Sequence, residues 1–314
     1  MNKKTIDGDF LFDNGTVIRT PEQCFDHVID YPFESKYVIV NGLRIHYLDE
    51  GNRDGLTVVL LHGLPTWSYL FRRIIPPLVA EGYRVIAPDL IGFGKSDKLT
   101  DKKNYSYTKN VEWIRIFLFG VMKLTNINMI AHDWGGLIGL RLVAQYPNRF
   151  RSVIAMNTAF PRIEGFNPMF FLWWLASGLV ISMSFERLIS IGIVKKQKKQ
   201  ILQAYDAPFP EKRFRVAPQV FPKLVPIFPW QYEAKTNKKL WKDLCQYSNP
   251  FLTIYSDKDP FTKKVEVEFI KEIKGAKGQP HLKVKNAGHF LLEDNPGLIN
   301  RHVINFYQHI RKSD

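Results

Sequence analysis

The sequence has little cysteine and no export signal. Its two cysteines, Cys24 and Cys245, form neither a CxxC pair nor a metal-ligand spacing, so we expect free thiols and no disulfide bond. The first fifteen residues, MNKKTIDGDFLFDNG, lack an apolar run before a small-residue cleavage site, because Asp7, Asp9 and Asp13 interrupt them. Both observations predict a cytoplasmic protein.

The chain also lacks a long apolar segment. Its most apolar uncharged run, Met169 to Met183, is shorter than the ~20 residues needed to cross a bilayer, and Glu164 and Glu186 lie close to it. We therefore predict a lid helix that lines an apolar pocket, with no stable membrane insertion.

Motifs for nucleic acids, metals and cofactors are missing as well. The net charge is +14, and the densest basic cluster is KKQKKQ at Lys195 to Gln200, which is typical of a solvated helix face. No RRM signature, zinc-finger spacing or basic heptad accompanies it, so no nucleic acid partner is expected. There is no HExxH, P-loop or dinucleotide fingerprint, and we expect neither a metal nor an organic cofactor.

What is present is a pattern of strands that alternate with helices. Hydrophobic residues make up 45% and charged residues 24% of the 314 residues, as in an ordinary soluble globular protein. An antiparallel hairpin turning at Asn41-Gly42 comes first, and TVVLL (Thr57 to Leu61) reads as a strand buried on both faces. Such alternation predicts βαβ units and a mainly parallel sheet. The predicted strands are 37–40, 43–49, 57–61, 84–87, 127–131, 151–156, 251–255 and 282–284, and the predicted helices are 67–80, 109–124, 135–146, 263–273 and 296–311.

The alternation stops between about Pro161 and Trp241, where the segment is rich in Phe, Trp, Pro and Lys. We interpret residues 161–241 as a helical cap inserted into one interrupted α/β core domain, which consists of residues 1–160 and 242–314. A single α/β domain with an inserted lid accounts for the length of the chain.

The sharpest local signal is Ala131-His132-Asp133-Trp134-Gly135-Gly136, where a predicted strand turns directly into a helix. This pattern is typical of a nucleophile elbow, G-x-S-x-G, with an aspartate in the serine position and small residues where the turn is tight. Asp133 could instead only cap the helix, since aspartate is a good N-cap residue.

An acid and a histidine follow in the order that this kind of site uses. His289 lies in NAGHFLLED, and Asp259 lies in TIYSDKDP, where Asp257 competes with it as the acid. We favour Asp259 because it stands further into the loop. His62 and His132 are weaker candidates for a base, because both occupy positions where the backbone must turn.

These motifs resemble those of the haloalkane dehalogenases of the α/β-hydrolase superfamily. The similarity runs from about Ile18 to the C-terminus, and HDWGG together with HG-x-PTW and YDAPFP is specific. The residues that carry it are HGLPTWSYLFR (62–72), APDLIGFGKSD (87–97), HDWGG (132–136), AYDAPFP (204–210), SDKDP (256–260) and AGHF (287–290).

The resemblance implies an α/β-hydrolase fold and hydrolysis of a small haloalkane to alcohol and halide through an alkyl-aspartyl ester. Asp133 would be the nucleophile, since a carboxylate is already ionised at neutral pH. His289 would activate water against the ester, and Asp259 would orient its ring. The backbone N–H groups of Leu64 and Trp134 would stabilise the oxyanion. The Leu64-Pro65 bond could be cis.

The leaving halide would need donors in a dry pocket, which indole N–H groups supply. Trp134 is the first, and the subgroup that the chain resembles takes a second tryptophan from the cap. Phe171-Leu172-Trp173-Trp174 offers two candidates, of which we favour Trp174, although both could serve lid packing.

Two other functions stay open at this point. Leu64 is apolar where dehalogenases of that subgroup often carry a polar residue, and epoxide hydrolases commonly have an apolar one. An epoxide hydrolase would also need cap tyrosines, and Tyr205 is the only tyrosine in the first part of the cap. The fold could further serve a catalytically silent binding protein.

Overall fold

A computed structural model describes residues 10–12, 15–162, 171–172, 174–177 and 183–311. Strands form one large sheet and one small one. The described residues contain the strands β1 (Phe10–Phe12), β2 (Gly15–Ile18), β3 (Lys36–Val40), β4 (Leu43–Glu50), β5 (Thr57–Leu61), β6 (Arg84–Pro88), β7 (Lys98–Leu99), β8 (Ile127–His132), β9 (Phe150–Met156), β10 (Phe251–Ser256) and β11 (Leu282–Val284).

The large sheet has eight strands in the order β11-β10-β9-β8-β5-β6-β4-β3. Pairing is parallel from β11 through to β6, whereas β4 runs antiparallel to both β6 and β3. The β3–β4 hairpin turns at Asn41 and Gly42, which both have positive φ, as its sequence predicts. The prediction of a mainly parallel sheet of the α/β-hydrolase type is confirmed, and every predicted strand is present.

A second, three-stranded sheet, β1-β2-β7, was not predicted. Its strands have two to four residues, and β7 pairs with β2 through Lys98 and Leu99. Such short strands carry too little alternation for the sequence pattern to indicate them.

Helices cover both faces of the large sheet. The α-helices with described bounds are α1 (Ile75–Ala80), α2 (Tyr107–Arg115), α3 (Trp134–Gln145), α4 (Phe185–Gly192), α5 (Lys199–Gln203), α6 (Val216–Leu224), α7 (Tyr232–Cys245), α8 (Val265–Glu272), α9 (Leu291–Asp294) and α10 (Pro296–Arg311).

The predicted helix from Trp67 to Ala80 is wrong in its first part. A 3-10 turn, Ser68–Phe71, comes first, and α1 begins only at Ile75. Pro76 and Pro77 explain the break, because proline is tolerated in the first turn of a helix and not in its interior. The predicted helix 109–124 is likewise shorter, since α2 continues after Arg115 as a π-type turn, Ile116–Val121.

The core lies in two layers, one on each face of the sheet. Alternate residues of β5 divide between them: Val58 and Leu60 pack in one cluster, and Val59 and Leu61 in the other. All four are fully buried, as expected of a central parallel strand. This strand and β8 beside it carry the loops that form the site described below.

Between β9 and β10 the described chain contains helices and turns only. Residues 171–172 and 174–177 are helical, whereas Trp173 and most of Met169 to Met183 lie outside the described residues. The predicted helix face at Lys195 to Gln200 is exposed, but α5 begins only at Lys199. Among the described residues, no helix is long and apolar enough to span a membrane.

Candidate active site

Asp133 lies at the turn between β8 and α3, with φ 50° and ψ −122°. L-residues rarely adopt this conformation, and it is held here because the chain must reverse from strand to helix within one residue. Gly135 makes the reversal possible, since a Cβ atom there would overlap the carbonyl oxygen of Leu61. The side chain of Asp133 forms no capping hydrogen bond with α3, so helix capping does not account for its presence.

Two backbone N–H groups contact the carboxylate of Asp133. The amide of Leu64 donates a hydrogen bond to Oδ1 over 2.7 Å. The amide of Trp134 also donates to this carboxylate and lowers its pKa. Gly63 must lack a side chain, because a Cβ atom there would overlap Asp133. The Leu64-Pro65 bond that follows is cis. The two predicted oxyanion donors therefore meet at the predicted nucleophile.

His289 lies between two carboxylates. Its Nδ1 is 3.0 Å from Oδ2 of Asp259, and its Nε2 is 3.5 Å from Oδ2 of Asp133. The hydroxyl of Thr262 and the amide of Phe261 donate to Asp259, at 2.5 and 2.9 Å. The structure thus brings Asp133, His289 and Asp259 together in one chain of contacts.

The competing candidates lie elsewhere. Asp257 is mostly solvated and accepts from the amide of Ala287 at 3.3 Å, not from His289. His62 accepts through Nε2 from the amide of Leu90, and His132 donates through Nε2 to the carbonyl of His289. Both rings are fully buried in backbone contacts, as their positions in the sequence suggested.

Asp133, His289 and Asp259 influence one another's protonation state. Burial disfavours the protonated form of His289, but Asp259 and Asp133 outweigh burial and raise its pKa to about 10. Burial likewise opposes ionisation of Asp133 and Asp259, yet their contacts with His289 lower the pKa of each. The described site therefore holds two carboxylates with an imidazolium between them at neutral pH.

The carboxylate of Asp133 faces a cavity of about 1020 Å³. Its side chain is 22% exposed, which gives the cavity direct access to an otherwise enclosed group. The walls are mostly apolar, and they include Leu64, Trp134, Phe160, Phe171, Phe261 and Phe290. Such walls exclude water and admit apolar molecules.

The two tryptophans predicted as halide donors lie differently with respect to this cavity. Trp134 lines it, and its ring packs on Tyr107 and Phe221. Trp174 stands behind Phe171, with ring centroids 6.3 Å apart and ring planes almost parallel. Its Nε1 is buried and has no hydrogen-bond partner among the described residues.

Two residues of the site, Asn157 and Thr158, were not predicted from the sequence. The Asn157 side-chain amide donates to the carbonyls of Gly288 and His289, at 3.1 and 2.9 Å, and Thr158 donates to the carbonyl of Asp133 at 2.7 Å. Both follow β9 directly. Polar residues after a buried parallel strand were a signal that could have found them.

A buried carboxylate ties the His289 loop to the segment after α4. Asp294 accepts from the amide of Gly288 at 2.7 Å through Oδ2. Through Oδ1 it accepts from the amides of Val194 and Lys195, at 2.8 and 2.7 Å. Its neighbour Glu293 is also buried and makes contacts of its own with other parts of the chain.

Arg72 and Tyr205 are two buried partners of Glu293. Arg72 forms two hydrogen bonds with its carboxylate, at 2.5 and 2.9 Å, and the hydroxyl of Tyr205 donates to it at 2.5 Å. The arginine and Glu293 are almost wholly buried. The hydroxyl of Tyr205 is therefore engaged away from the cavity, whose described lining does not include it.

Comparison with known proteins defines the class first. Residues 57–296 match the family model described as the alpha/beta hydrolase fold, in agreement with the sheet and the nucleophile turn. Among solved structures, the tetrameric haloalkane dehalogenase DpaA from Paraglaciecola agarilytica NO2 superposes with a TM-score of 0.84. It is 29% identical, and the match covers 91% of this chain and 96% of that one.

Curated relatives identify the family within this fold class. The haloalkane dehalogenase of Mycobacterium marinum is 42% identical over 292 residues, covering 91% of this chain and 98% of the relative. That of Psychrobacter cryohalolentis is 41% identical over 300 residues, covering 92% and 97%. The chain belongs to the haloalkane dehalogenase family, as the motifs indicated.

Proposed function

We propose that the protein hydrolyses small haloalkanes to an alcohol and a halide ion through a covalent ester on Asp133. The observation that carries this proposal is the arrangement of His289, with Asp133 on one side and Asp259 on the other, at the wall of an apolar cavity. The carboxylate supplies a nucleophile, the histidine a base, and the cavity a place for an apolar substrate.

In the first step, Oδ2 of Asp133 attacks the carbon that bears the halogen. The amide of Leu64 already occupies Oδ1, so Oδ2 is the freer oxygen. The new C–O bond forms as the carbon–halogen bond breaks, and the halide leaves with its bonding electrons. No base is required, because the lowered pKa of Asp133 keeps it ionised.

In the second step, water attacks the carbonyl carbon of the ester. Esterification removes the charge of Asp133, which is one of the groups that raise the pKa of His289. The pKa of the histidine falls, the imidazolium releases its proton to solvent, and the neutral ring can then take a proton from the attacking water. Asp259 orients the ring and stabilises the imidazolium.

The oxygen that becomes negative in this step is Oδ1. It lies in hydrogen-bond contact with the Leu64 amide before any reaction takes place. Because the amides of Leu64 and Trp134 are fixed by the backbone, they stabilise the charge without rearrangement. As the intermediate collapses, the bond between the Asp133 carbonyl carbon and the alkyl oxygen breaks, and this oxygen takes the proton from the His289 imidazolium and leaves as the alcohol. The remaining carboxylic acid loses its proton to solvent, which regenerates the carboxylate.

The halide leaves toward the indole N–H groups of Trp134 and Trp174. Trp134 follows the nucleophile directly and lines the cavity. Trp174 contributes a buried N–H that has no partner in the described part of the chain, and a buried donor without a partner is costly unless a ligand uses it. Its ring lies one side chain back from the cavity, so Phe171 must adjust for contact.

The described part of the cavity lining does not offer the tyrosine that epoxide hydrolysis would use. An opening epoxide would need a cap tyrosine as proton donor, whereas the hydroxyl of Tyr205 donates to Glu293. A silent binding protein would not need the complete set of Asp133, His289 and Asp259. Neither alternative explains the buried N–H of Trp174.

Halide release from 1-bromobutane or 1,2-dibromoethane tests the proposal, with diol formation from styrene oxide measured in parallel. We expect halide release, which Asp133→Ala abolishes in a folded variant. Diol formation alone would assign epoxide hydrolysis, and the absence of both products would assign a silent protein.

We retain three further expectations as proposals. The division into a core of residues 1–160 and 242–314 and a cap of residues 161–241 fits the helices described between β9 and β10. A cytoplasmic location and the absence of nucleic acid partners rest on the sequence alone.

A further inference from the structure

Exposed apolar side chains concentrate in the cap segment. Of eleven large hydrophobic residues exposed in the described chain, seven lie between residues 161 and 241. Exposure of single apolar residues is ordinary, whereas a contiguous exposed apolar patch marks an interaction surface. The seven are Leu172, Leu175, Ile191, Val194, Phe228, Trp230 and Tyr232. We call this set the cap rim.

Two residues of the rim lie at the mouth of the active-site cavity. Ile191 and Phe228 line the cavity and are nevertheless 68% and 40% exposed, so they stand where it opens. Phe171 lines the cavity next to the exposed Leu172. The ring of Trp230 stacks on that of Phe228, with centroids 4.7 Å apart, and extends the apolar surface outward.

The same segment carries most of the excess positive charge. Residues 161–241 contain 13 lysines and arginines against five acidic residues, a net charge of +8 out of +14 for the whole chain. Four lysines, Lys195, Lys196, Lys198 and Lys199, follow directly after Val194 of the rim, and all four are exposed. Lys223 is also exposed and lies over the ring of Trp174, which precedes Leu175 of the rim. Basic residues therefore lie next to residues of the apolar rim.

We infer that the cap rim docks the protein on the surface of an anionic phospholipid bilayer. Exposed aromatic and aliphatic residues enter the interface between headgroups and acyl chains, while flanking lysines attract anionic headgroups. No membrane-crossing helix is needed for such peripheral contact. In the docked orientation the mouth of the cavity would face the acyl chains, in which apolar haloalkanes dissolve.

A second copy of this chain is the competing occupant, and charge argues against it. In a symmetric dimer the same patch meets itself, so two segments of charge +8 would face each other. Like charges across an interface disfavour association. An anionic surface turns the same charges into attraction.

Co-sedimentation of the full chain with vesicles tests the inference without any turnover. Phosphatidylcholine vesicles are compared with mixed phosphatidylcholine and phosphatidylglycerol vesicles. We expect binding to the mixed vesicles, weakened by high salt because salt screens exposed charges. Absence of binding to the mixed vesicles overturns the proposal.

Matched variants locate the surface. Lys196→Glu/Lys198→Glu/Lys199→Glu should reduce the partition coefficient by about tenfold or more, since each charge near an anionic surface contributes to binding. Lys102→Glu/Lys103→Glu/Lys277→Glu changes net charge equally at exposed sites outside the cap. Equal loss in both triple variants would mean non-specific attraction and refute the rim as the site.

A second pair of variants tests the apolar contribution. Trp230→Ser should reduce vesicle binding, whereas Ile39→Ser, at a residue of similar exposure outside the cap, should not. Circular dichroism verifies that each variant is folded. Light scattering tests the competing occupant. If the unmodified chain forms dimers, Trp230→Ser converts them to monomers and vesicles are not bound, then the rim is a contact between two copies of the chain and the proposal fails.

Discussion

Nε2 of His289 lies 3.5 Å from Oδ2 of Asp133, while its other nitrogen is held by Asp259. The base of the proposed second step is therefore in contact with the nucleophile of the first. Because the two half-reactions need different groups, they can be separated by removing one residue.

His289→Gln should stop ester hydrolysis and spare much of the attack by Asp133. Mixed with 1-bromobutane, the variant should release about one halide per site and then stall, because a carboxylate attacks without a base. Its intact mass should rise by one butyl group, located by peptide mapping in residues 131–136. His302→Gln, outside the site on α10, should turn over without an adduct. A folded His289→Gln variant that is inactive and unmodified would refute the two-step scheme.

The raised pKa of His289 predicts a pH-dependent stability. A histidine titrates near 6.5 when unfolded and near 10 here, so its contribution is complete below about pH 6.5 and is lost as the pH rises toward 10. The free energy of unfolding should fall across this window by up to about 1.4 kcal/mol per pH unit. Urea unfolding measures it, and His289→Gln should show a flatter profile. Parallel profiles for the two proteins would contradict the assigned charge.

Trp174→Phe should weaken halide binding while keeping an aromatic ring beside Phe171. A hydrogen bond to an ion contributes roughly 1.5 to 3 kcal/mol, so the Kd for bromide should rise between about tenfold and a hundredfold. Quenching of tryptophan fluorescence follows the binding. Trp113→Phe removes a buried indole of α2 as the control. A larger effect from Trp173→Phe would show that the wrong neighbour was chosen.

Glu293→Gln should destabilise the fold, because it leaves the buried guanidinium of Arg72 without its counter-ion. Loss of one partner of a buried pair costs about 3 to 5 kcal/mol, measurable by urea unfolding. Adding Arg72→Met should recover part of that loss. Tyr205→Phe, which removes one neutral donor to the same carboxylate, should cost only about 1 kcal/mol. If Glu293→Gln also lowers the free energy of unfolding by only about 1 kcal/mol, the pair of Arg72 and Glu293 is not buried in solution.

The strands were predictable because burial on both faces leaves a continuous apolar signature, as in β5. The triad candidates were predictable for a related reason, since Asp133, Asp259 and His289 each follow a strand within a recognisable motif. The choice between Asp257 and Asp259 depended on loop position, and the structure places the second beside His289.

Other features depend on contacts that no local pattern specifies fully. The break before α1 could have been read from Pro76 and Pro77, but its 3-10 turn depends on packing. The contacts of Asn157 with the His289 loop join residues far apart in the sequence, and no pattern along one strand specifies such a pair. The bond between Tyr205 and Glu293, which decides against epoxide hydrolysis, is of the same kind.

Asp294 limits how the cavity can open. One carboxylate holds the amide next to His289 and also two amides of the chain that follows α4. A swing of residues 194–195 away from the core would thus pull on the loop of the catalytic base or expose a buried charge. Any widening of the cavity mouth should therefore come from movement of other parts of the cap, and mutations that widen the route without disturbing catalysis should be sought outside residues 194–195.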